Sequence, residues 1–329
     1  MKKQLIILFI PFLSIGQEYL NFIHNGTQRD YIYYEPTNFE AGAPLVFVAH
    51  GYSGSAQGIM NYCGMNSLAD QFGFSVCYPE GTADSWGNNF WNVGYDFTSE
   101  STVNDIDFIT ELASFLQNEK NLSIDNTFLT GMSNGAELCY LIACESPGLF
   151  KAYAPVAGTI VPNGLTNNSC NGEPVSIFEL HGINDNITLF EGDSNDQFWG
   201  PYLGIDSIIN YWTGINELEE LNIDTLPNLN NNNKFTISYK YYSKNNNKKV
   251  WLYKHRDGHS WNIDDFISAQ EIWSFFSQFL SANNSAISHF SKNKSLLKKM
   301  DILGRKAINK GLQLHIYNDG TVEKKYLVN

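Results

Sequence analysis

The stretch TFLTGMSNGAELCYLIAC, residues 127–144, decides the fold. Its start, Thr127–Thr130, is rich in β-branched and aromatic side chains and reads as a short buried strand. Its end, Ala136–Cys144, reads as helix. Between them lies Gly131-Met132-Ser133-Asn134-Gly135, a G-x-S-x-G pattern. A strand that turns directly into a helix needs small residues on both sides of the turn, because a β-carbon there would strike neighbouring backbone. The turn lifts the Ser133 hydroxyl out of the sheet and sets it at a helix N-terminus, where free amides and the helix dipole favour developing negative charge. Ser133 is therefore the candidate nucleophile. The five-residue pattern alone is common; the strand before it and the helix after it give it weight.

Working outward, PLVFVA (44–49), FSVCY (74–78), YAPVA (153–157) and VSIFEL (175–180) are apolar runs with little alternation. Such runs suit strands covered on both faces, as in a parallel sheet. Val103, Ile106, Ile109, Leu112 and Leu116 recur at helical spacing, with Asp105 and Asp107 in the first turn. Ile205–Trp212 also reads as helix, and Asp264–Leu280 as the closing helix. Tyr19–Ile23 and Tyr31–Tyr34 are short β-rich runs at the start. Phe235–Ser243 and Lys249–Lys254 read as the last strands, near Asn-rich loops at 228–233 and 245–247. Strands alternating with helices predict an α/β fold, a mostly parallel central sheet with helices on both faces.

A serine hydroxyl needs a base. In folds built on a strand–serine–helix turn, the acid and then the histidine follow the serine in chain order. His259, between Gly258 and Ser260 after the last strand, fits as base; His255 reads as a polar residue at a strand end. Asp185, in His181-Gly182-Ile183-Asn184-Asp185, is the candidate acid, with Asp193 and Asp196 as rivals. The oxyanion donors expected are the backbone amides of Asn134 and Tyr52, the latter in the loop HGYSG (50–54). His50 reads as a structural group holding that loop. Trp86 and Trp91, in WGNNFWN (86–92), and Trp261 are candidates for a substrate-pocket wall. Each, like Trp199, reads equally well as core. No C-x-x-C pair and no His/Cys cluster at zinc-ligand spacing occurs, so no metal and no cofactor are expected.

The 329 residues are 43% hydrophobic and 14% aromatic, enough for one large core. Thirty-four acidic residues against 21 basic ones give a net charge of −13. An acidic surface repels nucleic acid and anionic lipid, which argues against both as partners. The opening MKKQLIILFIPFLSIGQ has two lysines, an apolar run Leu5–Ile15 and small residues Ser14 and Gly16. It reads as a secretory signal peptide over 1–16, too short to span a bilayer. Export permits disulfides among Cys63, Cys77, Cys139, Cys144 and Cys170. Spacing does not fix connectivity; Cys144 with Cys170 is the favoured pair, and an odd count leaves one thiol out. The main domain then runs over 17–281. A Ser- and Asn-rich linker follows at 282–295. The basic tail, 296–329, holds two strand-like runs around Asp319-Gly320, a hairpin signal.

HGYSGS, YPEGTADSW with a following WN, GMSNGAELCYLIAC, FKAYAPVAG, HGINDN and GHSWN occur in this order over roughly 20–280. The set resembles the α/β-hydrolase esterases that include polyhydroxybutyrate depolymerases, feruloyl esterases and acetylxylan esterases. That resemblance implies a secreted carboxylic-ester hydrolase working through an acyl-enzyme, with Ser133, Asp185 and His259 as triad. Tyr52 and Asn134 would supply the oxyanion hole. The substrate would be a small-molecule or polymer ester: feruloyl, acetyl or hydroxyalkanoate. Relatives often carry proline where this chain has Asn186, and GHTWP where it has GHSWN. A peptidase or lipase on the same fold, or a non-catalytic carbohydrate-binding surface protein, are the alternatives. The tail, KKMDILGRKAINKG (298–311) and LHIYNDGTVEKKYLVN (314–329), is similar to C-terminal sorting domains of type IX secretion. It implies an engagement with secretion machinery and an extracellular or surface location in a Gram-negative bacterium.

Overall fold

Strands whose every residue is apolar enough to bury on both faces have one economical home, the middle of a sheet with helices above and below. The computed structural model describes residues 16–160, 170, 172–226, 234–263, 265–281, 296–301, 305, 311–317 and 322–327. In chain order the strands of the main sheet are β1 (Gln17–His24), β2 (Thr27–Tyr34), β3 (Leu45–Ala49), β4 (Ser75–Pro79), β5 (Thr127–Met132), β6 (Tyr153–Val156), β7 (Ile177–Gly182), β8 (Glu220–Thr225), β9 (Ile237–Tyr242) and β10 (Lys249–His255). Their spatial order is β1-β2-β4-β3-β5-β6-β7-β10-β9-β8. The six central strands, β4 to β10 in that order, run parallel. Antiparallel pairs close both edges. β3, β4, β6 and β7 are buried at every residue.

The helices are α1 (Ala56–Cys63), α2 (Met65–Phe72), α3 (Asp105–Glu119), α4 (Asn134–Glu145), α5 (Ile205–Ile215) and α6 (Ser268–Phe276). Alternate residues of a strand face opposite ways. Accordingly Leu45 and Phe47 of β3 pack in one apolar cluster with Leu112 of α3, Leu138 of α4 and Trp212 of α5. Val46 and Val48 pack in the other, with Ile59 of α1, Leu68 of α2 and Trp273 of α6. The chain moves outward from β3 to β4, then crosses back to β5 on the other side. The loops after β3 and β5 therefore part at a switch point, where crevices open at the carboxyl ends of parallel strands.

Three differences from the sequence reading have physical causes. α1 and α2 are not among the elements the sequence suggests: each is eight residues long, and Gly64 (φ 75°) breaks the pattern between them. β8 is an exposed edge strand whose two alternating apolar residues, Leu221 and Ile223, are too few to announce it. α6 begins at Ser268 rather than near 264. Asp265 there accepts a hydrogen bond from the Thr236 hydroxyl (2.8 Å), and a 3-10 turn, Ser277–Phe279, finishes the segment.

Cys144 and Cys170 form a disulfide, Cα atoms 4.1 Å apart, while Cys63, Cys77 and Cys139 are free and buried. The chain divides into two units, 1–281 and 282–329. The second contains an antiparallel meander of β11 (Leu296–Asp301), β12 (Gly311–Tyr317) and β13 (Val322–Leu327). The hairpin anticipated in the tail pairs as β12 with β13; its turn, residues 318–321, lies outside the described residues. So do residues 1–15 of the expected signal peptide, 1–16, and the expected linker, 282–295. Among the described residues no helix is long and apolar enough to cross a membrane.

Candidate active site

Ser133 ends β5 and caps α4 with φ 56° and ψ −121°, a backbone state L-residues rarely adopt. Such a state costs about 1–3 kcal/mol, and the surroundings must enforce it. They do so by crowding. A β-carbon on Gly135 would lie 2.4 Å from the Ala49 carbonyl oxygen, and one on Gly131 would lie 2.4 Å from that of Gly135. A β-carbon on Gly158 would meet that of Ala136 at 2.4 Å. The Ser133 amide donates to Val156 O (2.9 Å), and its carbonyl accepts from Ala136 and Glu137, starting the helix. Asn134 is the first residue of α4, so its amide has no partner within the helix. Its side chain is fully buried and grips the Trp91 backbone: Trp91 N donates to Oδ1 (2.7 Å) and Nδ2 donates to Trp91 O (3.0 Å).

The loop after β3 arrives from the other side. A β-carbon on Gly51 would come within 3.3 Å of the Ser133 β-carbon, so this loop lies against the serine. Its backbone bonds run from Ser53 to Asn89 O (2.8 Å) and from Gly54 to Gly51 O (2.9 Å), and do not use the Tyr52 amide. The Tyr52 hydroxyl donates to Asp84 Oδ2 (2.6 Å) and accepts from Asn88 Nδ2 (2.9 Å). His50 Nδ1 donates to Gly51 O (2.7 Å), and its Nε2 accepts from the Gly81 amide (2.9 Å). Burial pushes its pKa down to about 4, so it is a neutral tie between two loops.

Asp185 and His259 leave the adjacent parallel strands β7 and β10. Ile183 N donates to His255 O (2.9 Å) and Asn184 Nδ2 to Arg256 O (2.7 Å), tying the two loops together. His259 Nδ1 donates to Asp185 Oδ2 (2.7 Å), while Asp185 Oδ1 accepts from the amides of Ile187 (2.8 Å) and Thr188 (3.0 Å). Burial opposes ionisation of Asp185, but the His259 hydrogen bond and charge, with the Ile187 amide, outweigh it and hold the carboxyl below its ordinary range. The rivals cap their own turns: Asp193 accepts from Asn195 N, and Asp196 from Phe198 N and Trp199 N. The structure thus joins Asp185 to His259 and the Tyr52 loop to Ser133. Among the described residues no hydrogen bond joins Ser133 to His259; such bonds are commonly loose until substrate tightens them.

Behind Asp185 lies a buried network that the sequence reading missed. Tyr140 OH donates to Glu179 Oε2 (2.8 Å), and His181 Nδ1 faces Glu179 Oε1 (2.9 Å). His181 Nε2 donates to Thr188 O (2.9 Å) and lies 3.6 Å from Asp185 Oδ2. Burial works against a charged His181, but the Glu179 hydrogen bond and charge raise its pKa overall. The only signal in the sequence is an acid set inside an apolar strand two residues before a histidine. His255 does end a strand, β10, but it is not a surface group: its ring is fully buried, both nitrogens lack a hydrogen-bond partner among the described residues, and burial pushes its pKa down to about 4.

Two tryptophan assignments need correction. Trp91 and Trp261 take the core alternative: both are buried, and neither lines the cleft beside Ser133. Trp91 is fully buried, its indole N–H donating to His50 O (2.9 Å). Trp261 donates likewise to Cys63 O (3.1 Å). Trp86 is 60% exposed, and Trp199 lines a cleft beside Ser133. That cleft is narrow, about 10 Å³ of enclosed space, and is also lined by Tyr95, Glu137, Thr159, Thr188 and Tyr202. Burial pushes the Glu137 carboxyl up to about 8 despite hydrogen bonds from Tyr95 and Asn134, so it is neutral at pH 7. One group of potential metal ligands occurs among the described residues, His24, Asp107 and Glu111, and it includes none of the site residues.

Residues 30–170 match the family described as Esterase PHB depolymerase. That span holds Tyr52, Ser133 and Asn134; Asp185 and His259 lie beyond it. The chain is similar to the putative esterase NocK of Nocardia uniformis subsp. tsuyamanensis, 28% identical over 163 residues, 50% of this chain and 46% of that protein. It is 28% identical over 179 residues to a probable feruloyl esterase C of Aspergillus flavus, 53% of this chain and 61% of that one. It is 30% identical over 156 residues to an acetylxylan esterase of Coprinopsis cinerea, 46% of this chain and 41% of that one. The chain spans roughly half the length of these curated relatives. Among solved structures, an acetyl xylan esterase from Aspergillus awamori superposes with a TM-score of 0.57 at 15% identity, over 80% of this chain and 99% of that one. An S-formylglutathione hydrolase from Agrobacterium tumefaciens gives 0.55 at 13% identity, over 80% and 95%. The fold is that of the α/β-hydrolases, and the chain resembles the polyhydroxybutyrate depolymerase, feruloyl and acetylxylan esterases.

Proposed function

We propose that the protein is an exported serine esterase that cleaves carboxylic esters through an acyl-enzyme on Ser133. The observation that carries this reading is the pairing of His259 with buried Asp185 at the same edge of the sheet from which the Ser133 turn rises. Ser133 Oγ attacks the ester carbonyl while His259 Nε2 takes its proton. Asp185 fixes the tautomer and stabilises the imidazolium. The amides of Asn134 and Tyr52 receive the oxyanion. His259 returns the proton to the departing alcohol, and a water then repeats the sequence to release the acid.

The cleft beside Ser133 is narrow, with about 10 Å³ of enclosed space, which favours a short acyl group over a bulky one. Its relatives' names, feruloyl esterase and acetylxylan esterase, support an ester carried on a plant-type polysaccharide. The Cys144–Cys170 disulfide suits an oxidising compartment, in keeping with the leader and the tail.

The test is labelling with a fluorophosphonate probe, followed by turnover on p-nitrophenyl acetate, methyl ferulate, acetylated xylan and polyhydroxybutyrate. Wild type should label and cleave the acetyl esters; Ser133→Ala should do neither. A folded wild type that takes no label and turns over no ester overturns the reading.

A further inference from the structure

Beside the catalytic cleft stands an array of aromatic rings that the chemistry above does not use. Trp86 is 60% exposed and Phe198 47% exposed. Their rings are stacked, 14° from parallel with centroids 6.1 Å apart. Phe97 packs against both, 5.3 Å from Trp86 and 4.9 Å from Phe198. The array then continues inward: Phe97 stacks on Tyr95 (5.3 Å), and Phe198 meets Trp199 edge-on (4.6 Å). Tyr95 and Trp199 both line the cleft that holds Ser133. One unbroken run of rings thus leads from open solvent to the nucleophile.

Single exposed apolar side chains need no explanation, but a contiguous exposed patch of them does. This one is also held still. Asp84 Oδ1 accepts from the amides of Trp86 (2.8 Å) and Asn88 (2.9 Å). Asp196 Oδ1 accepts from those of Phe198 (2.8 Å) and Trp199 (2.6 Å). Two loops more than a hundred residues apart are each fixed by a buttressing carboxylate so that their rings meet.

Resting on the esterase reading, we infer that Trp86, Phe97 and Phe198 form a stacking subsite for a neutral sugar ring on the alcohol side of the ester. The cleft is narrow, so the bulk of a polymeric substrate belongs outside it, where the rings lie. A pyranose presents a flat C–H face and a rim of hydroxyls. The rings offer the matching apolar face, and Asn88 and Asn195, in the same loops as Trp86 and Phe198, put polar side chains near it. An anionic polymer is disfavoured by a chain carrying a net charge of −13. An aliphatic polyester has no hydroxyls for the polar rim to bind.

The test uses the full chain with Trp86→Ala and Phe198→Ala, both at exposed positions. The ratio of kcat/KM on acetylated xylan to that on p-nitrophenyl acetate should fall about tenfold in either variant, the loss of roughly one stacked contact. Electrophoretic retardation of Ser133→Ala in gels containing deacetylated xylan, which needs no turnover, should disappear when Trp86→Ala is added. An unchanged ratio, equal losses on both substrates, or retention by polyhydroxybutyrate granules but not by xylan would overturn the assignment. Failure of wild type on p-nitrophenyl acetate sinks the esterase reading instead, and the retardation assay still reports on the rings separately.

Discussion

The two halves of the candidate site are held by different forces. Around Ser133 the restraint is steric: Gly51, Gly131, Gly135 and Gly158 sit where a β-carbon would press on neighbouring atoms, and the backbone has no alternative path. Around His259 the restraint is electrostatic: Glu179, His181, Asp185 and His259 alternate acid and imidazole through the protein interior. The first half tolerates little added volume and has one ionisable group, Glu137, beside it. The second is crowded too, a β-carbon on Gly182 meeting the Asp257 carbonyl oxygen at 2.3 Å, but it depends in addition on which groups hold protons. A nucleophile must be aimed, and crowding aims well; a base must change charge during the reaction, and only a polarisable setting permits that.

The largest effect should come from breaking the electrostatic half at its centre. Asp185→Asn keeps the shape and removes the charge, so kcat should fall on the order of 10⁴-fold with little loss of stability. Turnover within a few-fold of wild type would mean that the acid lies elsewhere, with Asp193 or Asp196 next in line.

A smaller effect, on stability rather than chemistry, should follow from breaking the steric half. Gly135→Ala adds a single methyl group against the carbonyls of Ala49 and His50. It should cost roughly 3 kcal/mol in thermal or urea unfolding. A change within about 0.5 kcal/mol would show that the turn can yield, and the contrast between the halves would fall.

The smallest effect sharpens the contrast, because one titrating group does intrude beside Ser133. Burial raises Glu137 to about 8, so its carboxyl is neutral at pH 7 and becomes an anion near the nascent oxyanion above that. Activity of the wild type should decline above about pH 8, and Glu137→Gln should lose that limb. Stability follows the same linkage. The folded carboxyl holds a proton that the unfolded chain releases near pH 4.5, so its contribution is full below that pH and is lost as pH rises towards 8. Urea midpoints of Glu137→Gln should lack this slope.

How much of this could be read from residues alone follows the same division. The parallel sheet announces itself because strands buried on both faces leave unbroken apolar runs, as in residues 44–49 and 175–180. Ser133 is legible because sterics demand glycine at fixed offsets. Asp185 and His259 are placed by chain order. What escapes is whatever depends on partners distant in sequence. A loop tryptophan reads identically whether it ends in the core, like Trp91 and Trp261, or in solvent, like Trp86. The motif makes the Asn134 amide a candidate donor but gives no sign of its side-chain grip on Trp91. The aromatic array needs residues 86, 97 and 198 to meet, and no local pattern joins them.

The three unpaired cysteines give the molecule a built-in clock. Cys63, Cys77 and Cys139 are sealed in the interior, and burial raises the pKa of each, that of Cys63 to about 11. Thiolate is the reactive form, so in the native state all three are silent towards alkylating dyes and towards exchange with the neighbouring cystine. Dye uptake therefore counts openings of the interior. Because Cys63 belongs to one layer of the core and Cys77 and Cys139 to the other, the order in which they react tells which side of the sheet lets go first.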